Sequence, residues 1–150
     1  MPNENAVALL NHLIEKNSDR INRLSSAANA TGNNTLTQIL NICIKTSQLC
    51  NIELSREVIA LGGIPTQPEK NTASEFFSAW LDFENMLAVN DTESLLSCCL
   101  SADDLIIDAY ERILKNDALN LSPDQRSMAE FHKRALNADQ IAMRELILQI

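Results

Sequence analysis

Leu61-Gly62-Gly63-Ile64-Pro65 closes one long amphipathic stretch, and the next begins only at Asn90-Asp91-Thr92-Glu93. A glycine just past the last apolar position can take the left-handed conformation that caps a helix, and the proline that follows cannot continue it. About 28 residues therefore lie between two long helical patterns, far more than the two to eight that usually join neighbouring helices. A connection of that length can cross the end of a bundle and send the next helix in the same direction as the last. The other breaks are short: Thr31-Gly32-Asn33 parts the first two patterns, and residues 117–122 part the last two.

The helix starts fit these stops. Thr35-Leu36-Thr37-Gln38 and Thr72-Ala73-Ser74-Glu75 read as capping boxes, in which the hydroxyl and the side-chain carbonyl satisfy backbone N–H groups reciprocally. Asn90 followed by Glu93 gives a third start, and Ser122-Pro123-Asp124-Gln125 places proline at a first helical position, where a missing N–H costs nothing. Helices are thus predicted over 4–30, 35–61, 72–88, 91–116 and 123–149. The four long ones each reach about 40 Å at 1.5 Å per residue, and matched rods bury their apolar stripes best side by side. The expected fold is a single all-α domain over 1–150: an up-down-down-up four-helix bundle with a short crossover helix between the second and third long helices.

Composition supports helices and excludes several functions. Hydrophobic residues make up 45% of the chain, too many for disorder, while three glycines, four prolines and 4% aromatics are too few for a β-sandwich. A net charge of −8, with lysine and arginine scattered, repels phosphate backbones and anionic headgroups, so neither nucleic acid nor membrane is an expected partner. No apolar run approaches a membrane span, and Met1-Pro2-Asn3-Glu4-Asn5 lacks the features of a signal peptide, so a cytoplasmic location is expected. Cys43, Cys50, Cys98 and Cys99 form no CxxC pair and have no histidine nearby in sequence, which favours reduced core thiols over a disulfide or zinc.

Helical periodicity predicts the inward faces. The first helix would bury Leu10, Ile14, Ile21, Leu24 and Ala28, and the second Leu36, Ile39, Cys43, Cys50, Leu54 and Leu61. The third would bury Leu96, Cys99, Ile106, Tyr110 and Ile113, and the last Met128, Phe131, Ala135, Ala142 and Leu146. Asp103 and Asp139 fall within these stripes, Glu53 and Glu57 flank the second, and Asp19 and Asn22 border the first.

A buried carboxylate needs a partner. A dinuclear metal centre in such a bundle takes Glu-x-x-His from two of its helices. That motif is missing: Arg56 follows Glu53 by three, Ile106 follows Asp103, Ala142 follows Asp139, and neither His12 nor His132 lies three after an acid. Ordinary hydrogen bonds and ion pairs of Asp103 and Asp139 with Tyr110, Arg56, Arg134 or each other are therefore favoured. The alternative is a carboxylate-ligated iron or manganese site built from Glu53, Asp103, Asp139 and Asp19. His132 reads as packed or superficial, and Trp80 with Phe76, Phe77 and Phe83 as a lid on the bundle or else a dimer surface. There is no phosphate loop or nucleophile elbow.

Leu10 to Ile21, with Asn11-His12 and Ser18-Asp19-Arg20, resembles the opening helix of a bacterial family of ferritin-like four-helix-bundle domains of unknown function. Glu53-Leu54, Glu57-Val58, Leu61-Gly62-Gly63 and Pro65 look like its second-helix ending. Trp80, Cys99, Asp103, Asp104, Ala109 and Tyr110 fall where the family has a tryptophan and its third-helix signature. The resemblance implies a ferritin-like fold, a homo-oligomer, and relatives linked loosely to stress responses. This chain departs from it at Asn22 and Leu100, where the family tends to glutamate, and at Asp139, where it tends to histidine. Glu53, Asp103 and Asp19 match retained acidic positions. The expected function is a non-enzymatic structural or protein-interaction bundle with a degraded metal centre and a candidate homodimeric assembly, against the alternative of a redox or stress-related metal protein.

Overall fold

In the computed structural model, residues 2–67 and 92–149 are described. They form α1 (Pro2–Ala30), α2 (Asn34–Ala60), α3 (Thr92–Asn116) and α4 (Pro123–Gln149), with a 3-10 turn at Ala118–Asn120, and contain no strand. The predicted short helix over 72–88, with Trp80 and its three phenylalanines, lies outside the described residues.

The buried positions explain why these helices associate. On α1, Ala6, Leu10, Leu13, Asn17, Arg20, Leu24 and Ala27 are buried, in steps of alternately four and three. The same alternation runs through Leu36, Leu40, Cys43, Ser47, Cys50 and Leu54 on α2, and through Leu96, Cys99, Asp103, Ile106, Tyr110 and Ile113 on α3. On α4 it runs from Gln125 through Ala129, His132, Leu136, Asp139 and Met143 to Leu146. A mean period of 3.5 keeps one seam facing its neighbours along nearly parallel axes. α1 packs along α2 and α3 along α4, while α1 also meets α3 and α2 meets α4.

The hydrogen bonds give the register. Asn17 meets Tyr110 and Arg20 meets Asp103, so rising numbers on α1 face falling numbers on α3. Glu57 meets Gln125 and Glu53 meets His132, so α2 and α4 oppose each other in the same way.

Two caps behave as the sequence suggests. Ser122 Oγ accepts from the Gln125 N–H while Gln125 Oε1 accepts from the Ser122 N–H, completing a capping box. At the end of α2, Gly62 takes φ +83°, and its N–H and that of Gly63 bond to the carbonyls of Ile59 and Val58. This is a Schellman arrangement, after which Asn11 of α1 clamps the outgoing chain by donating to the Ile64 carbonyl and accepting from the Thr66 N–H.

Other expectations are corrected. The cap of α2 is Asn33, whose side chain accepts from the Leu36 N–H, rather than a box beginning at Thr35. Phe131 is 64% exposed and Ala142 is exposed too, so the inward face of α4 is not the one predicted. The true seam carries Gln125, His132, Asp139 and Gln140, polar residues that a search for apolar spacing passes over. Ile21, Ala28, Ile39 and Leu61 are only partly buried, at the edges of their seams. Among the described residues no helix is long and apolar enough to cross a membrane.

Replacing Gly62 by alanine forces a Cβ into a left-handed backbone and should lower the unfolding free energy by about 1 kcal/mol in urea titration. An unchanged midpoint would contradict the capping role.

Candidate functional site

Among the described residues the core forms two apolar clusters with polar layers between them. One cluster includes Leu10, Leu54, Ile113 and Leu136, and the other Leu24, Leu40, Leu96 and Met143. Near their junction lies Arg20, fully buried on α1.

All five of its N–H groups find acceptors, and those acceptors come from the three other helices. Nε and Nη2 grip the two oxygens of Asp103 on α3, each at 3.0 Å, and Nη2 also donates to Asp139 Oδ2 on α4 at 3.1 Å. Nη1 donates to the Cys43 carbonyl and to Ser47 Oγ on α2, both at 3.0 Å. A planar fork with five donors suits this task, and a lysine ammonium could not replicate it. Burial works against the guanidinium charge, but the carboxylates of Asp103 and Asp139 overcome it and hold Arg20 above its ordinary pKa. For Asp139 the balance is opposite: burial raises its pKa and Arg20 only partly compensates.

A second layer lies one to two turns away. Asn17 donates to Tyr110 Oη at 3.0 Å, Tyr110 Oη meets His132 Nδ1 at 3.0 Å, and His132 Nε2 meets Glu53 Oε1 at 3.2 Å. The consistent assignment has the Tyr110 hydroxyl donating to Nδ1 of a neutral imidazole, whose Nε2–H then points at the carboxylate. Burial pushes the Tyr110 pKa up, and burial lowers that of His132 despite the opposing pull of Glu53. The chain of bonds runs from the fully buried tyrosine to a half-exposed glutamate.

The sequence-predicted site residues are thus dispersed. Asp103 and Asp139 converge, but on Arg20. Glu53 belongs to His132, and Asp19 pairs with Arg23 one turn along α1. Neither Tyr110, Arg56 nor Arg134 is the partner of the two aspartates, contrary to expectation; Arg20 was overlooked. The predicted stripe of α1 ran through Ile14 and Ile21, one residue off the seam that holds Leu13, Asn17 and Arg20. His132 is buried, with both ring nitrogens engaged. Cys43, Cys50 and Cys99 are free, buried thiols with pKa values pushed up to about 12 by burial, poor nucleophiles and poor ligands. Among the described residues no three histidines, cysteines or acids are grouped so as to hold a metal ion.

Residues 5–116, spanning α1 to the end of α3, match the model of a domain of unknown function, DUF2383. The chain belongs to this family. The DUF2383 match includes Arg20, Ser47 and Asp103, whereas Asp139 and His132 lie beyond it on α4. No curated protein and no solved structure matches the chain.

The His132 layer makes stability depend on pH. Neutral imidazole is favoured in the folded chain, so between the lowered folded value and the ordinary value of about 6.5 the unfolded state binds more protons. Stability should be fully present above that ordinary value and decline as pH falls through the window. Urea unfolding of the wild type and His132→Gln between neutrality and mild acid checks this: the variant should lose the histidine component, and parallel curves would contradict it.

Proposed function

We propose that this DUF2383 chain is a non-enzymatic helical-bundle domain with a structural or protein-interaction role, on a ferritin-like up-down-down-up frame whose metal centre is degraded. The opposed register of α1 with α3 and of α2 with α4, together with short α1–α2 and α3–α4 turns, supports α2 and α3 running the same way. A long connection between them is what such a frame requires.

The observation that carries the reading is the Arg20 layer. An iron or manganese ion needs deprotonated carboxylates with free lone pairs directed at a common point. Here Asp103 spends both oxygens on Arg20 and Asp139 spends one, and the centre already holds a fixed positive charge that would repel a dication. The residues therefore do not fit a metal: a guanidinium balances the buried acids in its place. Glu53 and Asp19, the other acidic candidates, are committed to His132 and Arg23.

An interaction role is supported by outward apolar side chains on α2 and α4, among them Ile42, Ile59, Phe131 and Leu148. Free thiols support residence in a reducing compartment, in keeping with a cytoplasmic location.

Metal analysis of protein purified without chelator tests the reading. The expected result is no stoichiometric iron or manganese, unchanged when Asp103 is replaced by alanine. Stoichiometric metal that disappears in Asp103→Ala would overturn it in favour of a carboxylate-ligated metal protein.

A further inference from the structure

On the side of α4 opposite its buried seam lies a second seam. Phe131, Arg134, Ala138, Ile141, Glu145 and Leu148 are all exposed and follow one another in alternating steps of three and four. Phe131, Ile141 and Leu148 are exposed by 64%, 55% and 86%. Such alternation is how a helix offers a continuous edge to a second, nearly parallel helix. A polar surface helix has no reason to space large apolar groups in this way.

The charges select the occupant. About a two-fold axis passing between Asp139 and Gln140, an antiparallel copy of α4 brings Phe131 opposite Leu148, Ala138 opposite Ile141, and Arg134 opposite Glu145. Each match occurs twice, as an isologous contact demands. Large meets small at the centre, where the alanine lets the helices approach, and aromatic meets leucine at the ends. The two charged positions meet their opposites. Neither Arg134 nor Glu145 has an ion pair within the chain among the described residues.

α2 provides an internal contrast. Its outward seam, Ile42, Lys45, Leu49, Ile52, Arg56 and Ile59, has the same spacing and is equally self-symmetric. Its mirror-related charged positions, however, would set Lys45 against Arg56 twice. Packing α2 against α4 of another copy in the antiparallel sense gives one favourable pair, Lys45 with Glu145, and one unfavourable, Arg56 with Arg134. Like charges across a contact suppress the wrong pairing, so α4 with α4 is the combination that the charge pattern admits without repulsion.

We infer that α4 is a self-recognition surface through which two copies of this chain associate antiparallel, with Arg134 and Glu145 fixing the register. The inference deepens the interaction reading above and rests on it, naming the partner as a second copy.

Sedimentation equilibrium at tens to hundreds of micromolar protein tests it, with helix content and melting followed in parallel to show that every variant is folded. The wild type should approach twice the 16.7 kDa chain mass. Arg134→Glu alone or Glu145→Arg alone places like charges together at two points, and each should weaken association by more than about tenfold. Arg134→Glu with Glu145→Arg restores both pairs and should restore the dimer. A wild type that stays monomeric, an assembly indifferent to the single reversals, or a folded double variant that fails to re-associate would each overturn the proposal. A monomer would leave this face to residues 68–91 or to a different protein. Metal content of the same preparations reports separately on the arginine layer, so failure of the one reading is distinguishable from failure of the other.

Discussion

One guanidinium fixes the alignment of the four long helices at the middle of this bundle. Arg20 starts on α1 and reaches a carboxylate on α3, a carboxylate on α4 and two oxygens on α2. Hydrophobic burial drives the helices together but is indifferent to their exact alignment, because leucine packs against leucine one turn up or down almost equally well. A fully engaged arginine is not indifferent. Any slip of a turn would leave a buried charge without its partner, and such an orphan costs several kcal/mol. The polar layers thus fix which residues stand opposite which, and the apolar clusters on either side supply most of the cohesion.

The same layer governs what the domain can do chemically. Two aspartates pointing into a helical core are an invitation to a cation, and here the chain supplies its own. A tethered guanidinium differs from a metal ion in two consequential ways: it cannot polarise a bound water as a Lewis acid, and it cannot change oxidation state. The neighbouring Tyr110–His132–Glu53 series has the right groups for proton movement. Its tyrosine, though, lies wholly buried, and the nearby thiols are held protonated by burial. Exposed apolar side chains also follow one edge of α2 and one edge of α4.

Much of the architecture was legible in the sequence. Caps and breakers place each end of the four long helices within a few residues, because Asn, Ser, Pro and Gly act locally: the Ser122–Gln125 box and the Gly62 turn need nothing beyond their own neighbourhood. Asp103 and Asp139 were also found, since each interrupts an apolar series. Arg20 was missed for the converse reason. It continues a seam, Leu10, Leu13, Asn17, Arg20, Leu24, whose polar members look like surface when apolar residues alone set the phase. Reading a period of 3.5 regardless of residue type would have placed Arg20 inside and Phe131 outside. Which partner a buried charge takes cannot be read from one chain's spacing, since it depends on axial register between helices distant in sequence.

The central claim is that Arg20 is the shared counter-ion of two buried acids, and its most direct test is the unfolding free energy of two variants in urea. Arg20→Leu should lose about 3–5 kcal/mol, because it strands Asp103 and Asp139 in the core, while Arg20→Leu combined with Asp103→Leu and Asp139→Leu should regain most of that loss. An Arg20→Leu protein that unfolds at the wild-type denaturant concentration, or a triple variant no more stable than the single, would contradict the account.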